Sequence, residues 1–404
     1  MDSFRRNTVV VIKDKKILLG VTGAISAYKA LELARLLIKK EAAVWPVMTR
    51  SAKEFITPLS LSTLAKNPVY SELFELTEGN RISHIELAQT ADLIVVAPAT
   101  ADFIGKAASG IADDLLTTIV MAAAAPVLIA PSMNTVMWEN PIVVANVGKL
   151  KGLGYLFVEP EEGELACGRA GKGRLAAVED ITEAAIEALS AKDLKGEKVL
   201  VTAGPTREPI DPVRYVSNAS SGRMGYAIAR AAKRRGAEVV LVSGPSSMPR
   251  PSGITFVPVS TAEEMHEACV SYYPQSTLVI MAAAVADYRP KKSYPTKVKK
   301  DAVSLTVDME RTEDVLKYMG KKKKGDQFLV GFALETENLE ENARKKLNEK
   351  NLDLVVANPP AGLDSETNQV TIINRDNDTE VLPAMSKDEV ADRILDNVVR
   401  LKRG

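Results

Sequence analysis

Short, mostly apolar runs recur along this chain, several followed by a small-residue turn and then by a longer amphipathic stretch. Lys16–Thr22 (KILLGVT) leads into Gly23, and then Ile25, Leu31, Leu33, Leu36 and Leu37 repeat at helical spacing across Ile25–Glu41. Ala43–Met48, Asp92–Pro98 and Pro126–Pro131 repeat the strand pattern. Helices are predicted over Ala101–Ala108, Leu115–Ala124, Thr135–Gly152 and Val178–Ala191. Strands that alternate with helices form a parallel sheet covered on both faces, so this half reads as α/β.

The polar stretch Lys192–Lys198 carries a glycine and interrupts the pattern. The βαβ opening then restarts with a strand at Val199–Thr202, a helix at Met224–Gly236 and a strand at Glu238–Ser243. Further strands are predicted at Thr277–Met281, Phe328–Leu334 and Leu352–Ala357, and helices at Ala262–Tyr272, Asn338–Lys350 and Lys387–Leu401. At 404 residues, two domains are expected, 1–191 and 192–404, each able to bury its own core. The run Lys321–Lys324 lies between glycines and reads as a solvated loop.

Lys+Arg and Asp+Glu both number 52, so the chain lacks the basic footprint of a nucleic-acid binder. Two distant cysteines, Cys167 and Cys269, and two histidines, His84 and His266, argue against a disulfide framework or a His-rich metal centre. The longest apolar stretch, around Ile119–Ile129, contains Pro126 and falls short of the ~20 residues a membrane span needs. With no signal-peptide pattern at the N-terminus and a lone reduced thiol in each half, a cytoplasmic protein is expected.

Gly20–Lys29 is a strand, a tight turn and a helix start, where backbone N–H groups favour an anion and Thr22 and Ser26 offer hydroxyls. It is not a G-x-G-x-x-G dinucleotide fingerprint, and a plain βα turn has the same appearance. His84 lies near a helix start, and a lone histidine is more often structural than catalytic. Asn134, in Pro-Ser-Met-Asn, follows a buried strand at the edge where open α/β sheets place ligands. Cys167 sits in a run whose three glycines suggest a mobile flap, with basic residues that would ease its titration. In the second half, Ser217–Gly225 (SNASSGRMG) opens a helix with serines, glycines and an arginine, which suits either a phosphate or a plain N-cap. Asp287 lies beyond a strand end, Phe332 offers a ring to a base, and Lys346 and Lys350 share one helix face. Lys297 opens the basic stretch KVKK after a Pro-rich turn.

The order of these pieces goes beyond their individual spacing. Gly20–Lys29, His84 before Ile-Glu-Leu, Pro98-Ala-Thr-Ala-Asp102, Pro-Ser-Met-Asn134 and Ala-Cys167-Gly-x-x-Gly-x-Gly-Arg174 resemble the flavin-dependent cysteine decarboxylases, specifically those acting on 4′-phosphopantothenoylcysteine. Thr202–Asp211, Ser217–Gly225, Ala-Ala-Val-Ala-Asp287-Tyr, Lys297-Val-Lys-Lys and Gly-Phe332-Ala-Leu-Glu-Thr resemble the phosphopantothenate–cysteine ligases. The resemblance implies two Rossmann-like three-layer domains with mainly parallel sheets, flavodoxin-like at the N-terminus and nucleotide-binding at the C-terminus.

It also implies roles. FMN would be held by Gly23, Ser26, Thr49, Pro98 and Thr100. The substrate thiol would be oxidised to a thioaldehyde with His84 assisting, CO2 would leave with Asn134 on the carboxylate, and Cys167 would protonate as the enethiol is reduced. In the ligase, CTP with Mg2+ would activate 4′-phosphopantothenate as an acyl-cytidylate before cysteine attacks. Asn218 would contact that intermediate and Lys297 would stabilise charge. Asp287 and Phe332 would hold the cytidine, Lys346 and Lys350 the phosphates, and Arg214 would reach the substrate across a dimer interface. A homo-oligomer is implied, with trimeric flavin domains and dimeric ligase domains, up to a dodecamer. The sequence departs from the ligase pattern Asn-Pro-Asp at Thr312-Glu-Asp314. An NAD(P)-linked oxidoreductase and a catalytically silent flavin-binding protein are the competing readings.

Overall fold

The computed structural model describes residues 12–73, 84–164, 170–298, 306–359, 362 and 365–403. The chain divides into two compact units, Met1–Ser190 and Ala191–Gly404.

In the first unit β1 (Lys16–Val21) leads through a 3-10 turn at Ile25–Tyr28 into α1 (Lys29–Lys39). Then come β2 (Ala43–Met48), α2 (Pro58–Ala65), α3 (His84–Thr90), β3 (Leu93–Ala99), α4 (Ala101–Ser109) and α5 (Leu115–Ala122). The unit closes with β4 (Val127–Pro131), α6 (Thr135–Trp138), α7 (Pro141–Gly152), β5 (Leu156–Phe157), the hairpin β6 (Glu161–Glu164) and β7 (Ala170–Arg174), and α8 (Val178–Leu189). The main sheet is wholly parallel in the order β2-β1-β3-β4-β5, the flavodoxin order, whose topological switch point lies between β1 and β3.

Two-residue periodicity explains the two-sided core. Ile17, Leu19 and Val21 face one side of β1 with Leu33, Leu37, Leu61 and Ile181, while Leu18 faces the other with Leu87, Phe103 and Leu116. Each such leucine, fully enclosed, contributes about 1.5–3 kcal/mol. The helix expected over Thr135–Gly152 is two helices. Pro141 has no N–H to continue the ladder, so the chain restarts at Asn140, whose side chain accepts from the Ile142 N–H at 2.9 Å.

The second unit holds β8 (Lys198–Ala203), the hairpin β9 (Arg207–Pro209) and β10 (Tyr215–Ser217), α9 (Arg223–Arg234), β11 (Glu238–Ser243), β12 (Thr255–Pro258) and α10 (Ala262–Tyr272). It continues with β13 (Leu278–Met281), the pair β14 (Tyr288–Pro290) and β15 (Met309–Arg311), α11 (Val315–Lys322), β16 (Phe328–Leu334), α12 (Leu339–Glu349) and β17 (Leu354–Asn358). It ends with β18 (Thr367–Asn368), β19 (Thr371–Asn374), β20 (Thr379–Val381), β21 (Met385–Ser386) and α13 (Lys387–Arg403). The sheet order is β12-β11-β8-β13-β16-β17-β19-β20, parallel through β17 in the Rossmann order and then antiparallel. The expected fold class, α/β with mainly parallel sheets, is the one observed.

The lysine run 321–324 is not wholly a solvated loop. Lys321 and Lys322 end α11, and the Lys323 ammonium turns inward onto the carboxylate of Asp353. Burial lowers the pKa of Lys323 while its hydrogen bond to the Asp353 carboxylate opposes that effect.

Candidate functional site

At the switch point of the first sheet, hydroxyl groups tie three loops together. Thr22 Oγ1 donates to the Pro98 carbonyl at 2.8 Å and accepts from the Thr100 N–H at 3.0 Å. Ser26 Oγ donates to Ser132 Oγ at 2.7 Å, so the loops after β1, β3 and β4 are cross-braced while most of their side chains stay small. Thr100 caps α4 and Thr49 caps the 3-10 turn Arg50–Glu54. Gly23 must be glycine on packing grounds alone, because a Cβ there would lie 2.4 Å from Ser51 Cβ.

These loops bound a cavity of about 740 Å3, lined among others by Gly23, Ser26, Thr100, Ser132, Asn134 and Arg174. Four residues singled out in the sequence, Gly23, Ser26, Thr100 and Asn134, therefore meet at one place. Thr49 and Pro98 are not among the lining residues, and Pro98 meets the loop after β1 through its carbonyl, which accepts from Thr22. Asn134 N-caps α6, its Oδ1 accepting from the Val136 N–H at 2.8 Å. His84 opens α3, half-buried, and is not among the cavity-lining residues. Cys167 lies outside the described residues.

The glycine-rich segment expected as a mobile flap has, in its described part, a specific seat. The Met133 N–H donates to the Gly173 carbonyl at 3.0 Å. Gly173 has φ +150, and a Cβ there would lie 2.3 Å from the Met133 carbonyl oxygen. The glycine thus lets β7 lie directly on the loop that carries Asn134. Glu159 anchors the same hairpin, pairing with Lys172 at 3.0 Å and Lys151 at 2.6 Å. The hydrogen bond from Lys151 holds its carboxyl below the ordinary value, against the effect of burial.

In the second unit the loops after β8 and β13 are cross-braced in the same manner. Thr206 Oγ1 accepts from the Ala286 N–H at 2.9 Å, and Ser217 Oγ donates to the Thr206 carbonyl at 2.7 Å. Asn218 Nδ2 donates to the carbonyls of Ala284 and Val285 at 3.3 and 3.1 Å. Asn218 therefore stands beside the segment that ends in Asp287. Thr312 is fixed there too, its Oγ1 donating to the Ala286 carbonyl at 2.6 Å and its N–H to the Asp287 carbonyl at 3.0 Å.

The charged groups are gathered at the same end. Lys350 pairs with Asp314 at 2.7 Å. Burial lowers the pKa of Lys346, and Lys350 adds to the effect, while Glu335, Asp314 and Asp287 oppose it. Burial would raise Asp314, yet its hydrogen bonds from Lys350 and the Lys317 N–H hold it below the ordinary value. Phe332, on β16, is half-buried against the core, and Lys297 is exposed in an irregular stretch. Sequence reasoning assigned no role to Glu335, which joins the cluster only through the fold. Cys269 is buried, and burial pushes its thiol up to about 12, so it is an inert core residue. Among the described residues no cluster of three or more His, Cys, Asp or Glu could hold a metal, and no helix is long and apolar enough to cross a membrane.

A flavodoxin-order unit with a cavity at its switch point, joined to a Rossmann-order unit with a polar and cationic site, defines a two-domain α/β enzyme with a flavoprotein half. Family models agree with each half: "Flavoprotein" matches residues 7–190, and "DNA/pantothenate metabolism flavoprotein C-terminal domain" matches residues 194–401. The chain is 48% identical over 402 residues to the coenzyme A biosynthesis bifunctional protein of Bacillus subtilis (strain 168), covering 97% of this chain and 98% of the relative. It is 44% identical over 393 residues to that of Escherichia coli (strain K12), covering 95% and 97%. A crystal structure of the C-terminal domain of a coenzyme A biosynthesis bifunctional protein aligns with 45% identity and a TM-score of 0.46, covering 52% of this chain and 98% of that one. The chain belongs to the family of coenzyme A biosynthesis bifunctional proteins.

Proposed function

We propose that the C-terminal unit joins cysteine to 4′-phosphopantothenate at the expense of CTP, and that the N-terminal unit decarboxylates the resulting 4′-phosphopantothenoylcysteine with FMN. The observation that carries this reading is the convergence of Gly23, Ser26, Thr100 and Asn134 on one cavity at a flavodoxin-type switch point. Its size suits a flavin mononucleotide. The backbone and hydroxyls around Gly23–Ser26 suit the phosphate, and the exposed apolar ring of Tyr28 and the Ile25 side chain suit a flavin surface.

Bound FMN supplies reversible two-electron chemistry. The chain's own residues do the rest. Asn134 orients the substrate carboxylate, and His84 assists while the carbon bearing the thiol is oxidised to a thioaldehyde. The carboxylate then stands β to an electron-accepting centre and leaves as CO2. Cys167 protonates the enethiol carbon skeleton as the electron pair is returned, giving 4′-phosphopantetheine.

In the ligase half, the phosphopantothenate carboxylate attacks the α-phosphorus of CTP and pyrophosphate leaves. The cysteine amine then attacks the acyl carbon, CMP leaves and the amide forms. Lys297 stabilises charge at the α-phosphate and Asn218 contacts the acyl-cytidylate. Asp287 and Phe332 hold the cytidine. Lys346 and Lys350 take the phosphates, and Mg2+ bound with CTP would offset the remaining phosphate charge. The burial of Lys346 supports this role, since a desolvated ammonium gains most from an incoming phosphate.

We assign the protein to the cytoplasm and to a homo-oligomer, with the flavin units associated as trimers and the ligase units as dimers. Exposed Val136, Ile142 and Val144 on α6 and α7 support the first contact, and exposed Val213, Tyr215 and Val216 around Arg214 support the second. The test is to incubate purified protein with 4′-phosphopantothenate, cysteine, Mg2+ and CTP, or ATP in parallel, and follow pyrophosphate and CO2 separately. Both products with CTP are expected. Pyrophosphate without CO2 from folded, flavin-loaded protein would remove the decarboxylase assignment, and neither product with either nucleotide would remove both.

A further inference from the structure

Lys297 belongs to no helix or strand, and its side chain is exposed. A long cation in an irregular segment reaches a fixed point only if its backbone is held. The turn at residues 210–214 holds it from both sides. At one end, the Tyr294 N–H donates to the Ile210 carbonyl at 2.9 Å. At the other, the Val298 N–H donates to Asp211 Oδ2 at 3.1 Å, and Arg214 Nη2 donates to the Val298 carbonyl at 2.8 Å. Both backbone groups of the residue after Lys297 are therefore taken by one Asp–Arg pair.

That pair is itself tightly set. The Asp211 side chain is fully buried. Its Oδ1 accepts from the N–H groups of Val213 at 2.8 Å and Arg214 at 2.9 Å. Its Oδ2 accepts from Arg214 Nε at 2.9 Å and from Arg214 Nη2. The turn runs straight into β10 and then Asn218, which is fixed on the carbonyls of Ala284 and Val285. One five-residue turn thus sets Lys297 relative to Asn218.

We propose that Asp211 is a positioning residue for the ligation step, acting through Arg214 and Val298 to seat Lys297 against the site that Asn218 marks. This rests on the ligase reading. An asparagine at 211 has the same shape but one acceptor oxygen, so its amide NH2 would oppose either the Val298 N–H and the Arg214 fork together, at the Oδ2 position, or the Val213 and Arg214 N–H groups that set the turn, at the Oδ1 position. Arg214 thereby has a place within its own unit, whatever else it touches.

The experiment uses the full chain and the variants Asp211→Asn, Lys297→Gln and the double variant. Single-turnover pyrophosphate release from labelled CTP with 4′-phosphopantothenate is measured, together with hydrogen exchange of the peptide spanning 294–298. Asp211→Asn is expected to lower the rate by about 10–100-fold, with the CTP concentration dependence changed by less than about threefold. The 294–298 peptide should gain a fast-exchanging amide, and in the Lys297→Gln background the same substitution should cost less than about threefold. Equal losses in both backgrounds, or unchanged protection of the peptide, would overturn the proposal. If the wild type releases no pyrophosphate the ligase reading fails, and hydrogen exchange still decides whether Asp211 seats the segment. Should Asp211→Asn not fold, Arg214→Lys serves in the same assays, because a single ammonium cannot reproduce the fork to Asp211 and Val298.

Discussion

In the N-terminal unit, neutral hydroxyls and glycines at the carboxyl ends of β1, β3 and β4 brace one another around a cavity of about 740 Å3. In the C-terminal unit the corresponding edge is denser in charge than the first cavity, which has Lys29 and Arg174 on its lining: Lys346 lies below its ordinary pKa, Lys350 pairs with Asp314, and Lys297 sits on a segment held by Asp211. The first site is made chiefly by shape. The second is a set of like and unlike charges. One parallel α/β architecture supports both because the switch point supplies only a place, and the loop residues decide the chemistry.

The sharpest break between the halves concerns a group in the first. Cys167→Ser is expected to leave CO2 release intact while the saturated thiol product falls by about 10²–10⁴-fold, the usual weight of a positioned proton donor. Following CO2 and 4′-phosphopantetheine in the same reaction checks this, and normal product formation would remove the donor role. Ligation should be untouched.

The seat of the hairpin beside the cavity can be tested at Gly173. With φ +150 and the Met133 carbonyl 2.3 Å from where a Cβ would stand, Gly173→Ala forces β7 away from the Asn134 loop. A loss of about 1–3 kcal/mol is expected in thermal unfolding of the flavin half, with decarboxylation slowed and pyrophosphate release unchanged. An unaltered melting curve would show that the hairpin does not rest on that loop.

The smallest effect concerns the charged half. The Arg214 hydrogen bonds hold the Asp211 carboxyl far below the ordinary carboxylate range. Since its folded pKa lies below the unfolded value of about 3.9, its contribution is complete above that pH and is lost as pH falls through the folded value. The stability gap between wild type and Asp211→Asn should be constant from about pH 5 to 8 and narrow below about pH 4. A gap that stays constant to pH 3 would contradict this.

Much of this architecture is legible in the sequence because buried parallel strands are continuous apolar runs. Ala43–Met48, Glu238–Ser243 and Phe328–Leu334 match their predicted bounds for that reason. The antiparallel edge of β19 and β20 is not legible in the same way. Its strands are short, and the signal is a polar turn, Arg375-Asp-Asn-Asp, in which Asn377 takes a positive φ. At the sites, motif order brought Gly23, Ser26, Thr100 and Asn134 together, whereas Asp211 sits in a Pro-rich stretch whose partner is 87 residues away. Partners so far apart in sequence leave no local pattern.

The central claim, two chemically separate sites in one chain, is tested most directly by Lys297→Gln supplied with 4′-phosphopantothenoylcysteine in one reaction and with 4′-phosphopantothenate, cysteine, Mg2+ and CTP in another. The account predicts decarboxylation of the supplied substrate at the wild-type rate and a loss of about 100-fold or more in pyrophosphate release. Equal loss of both activities would contradict it.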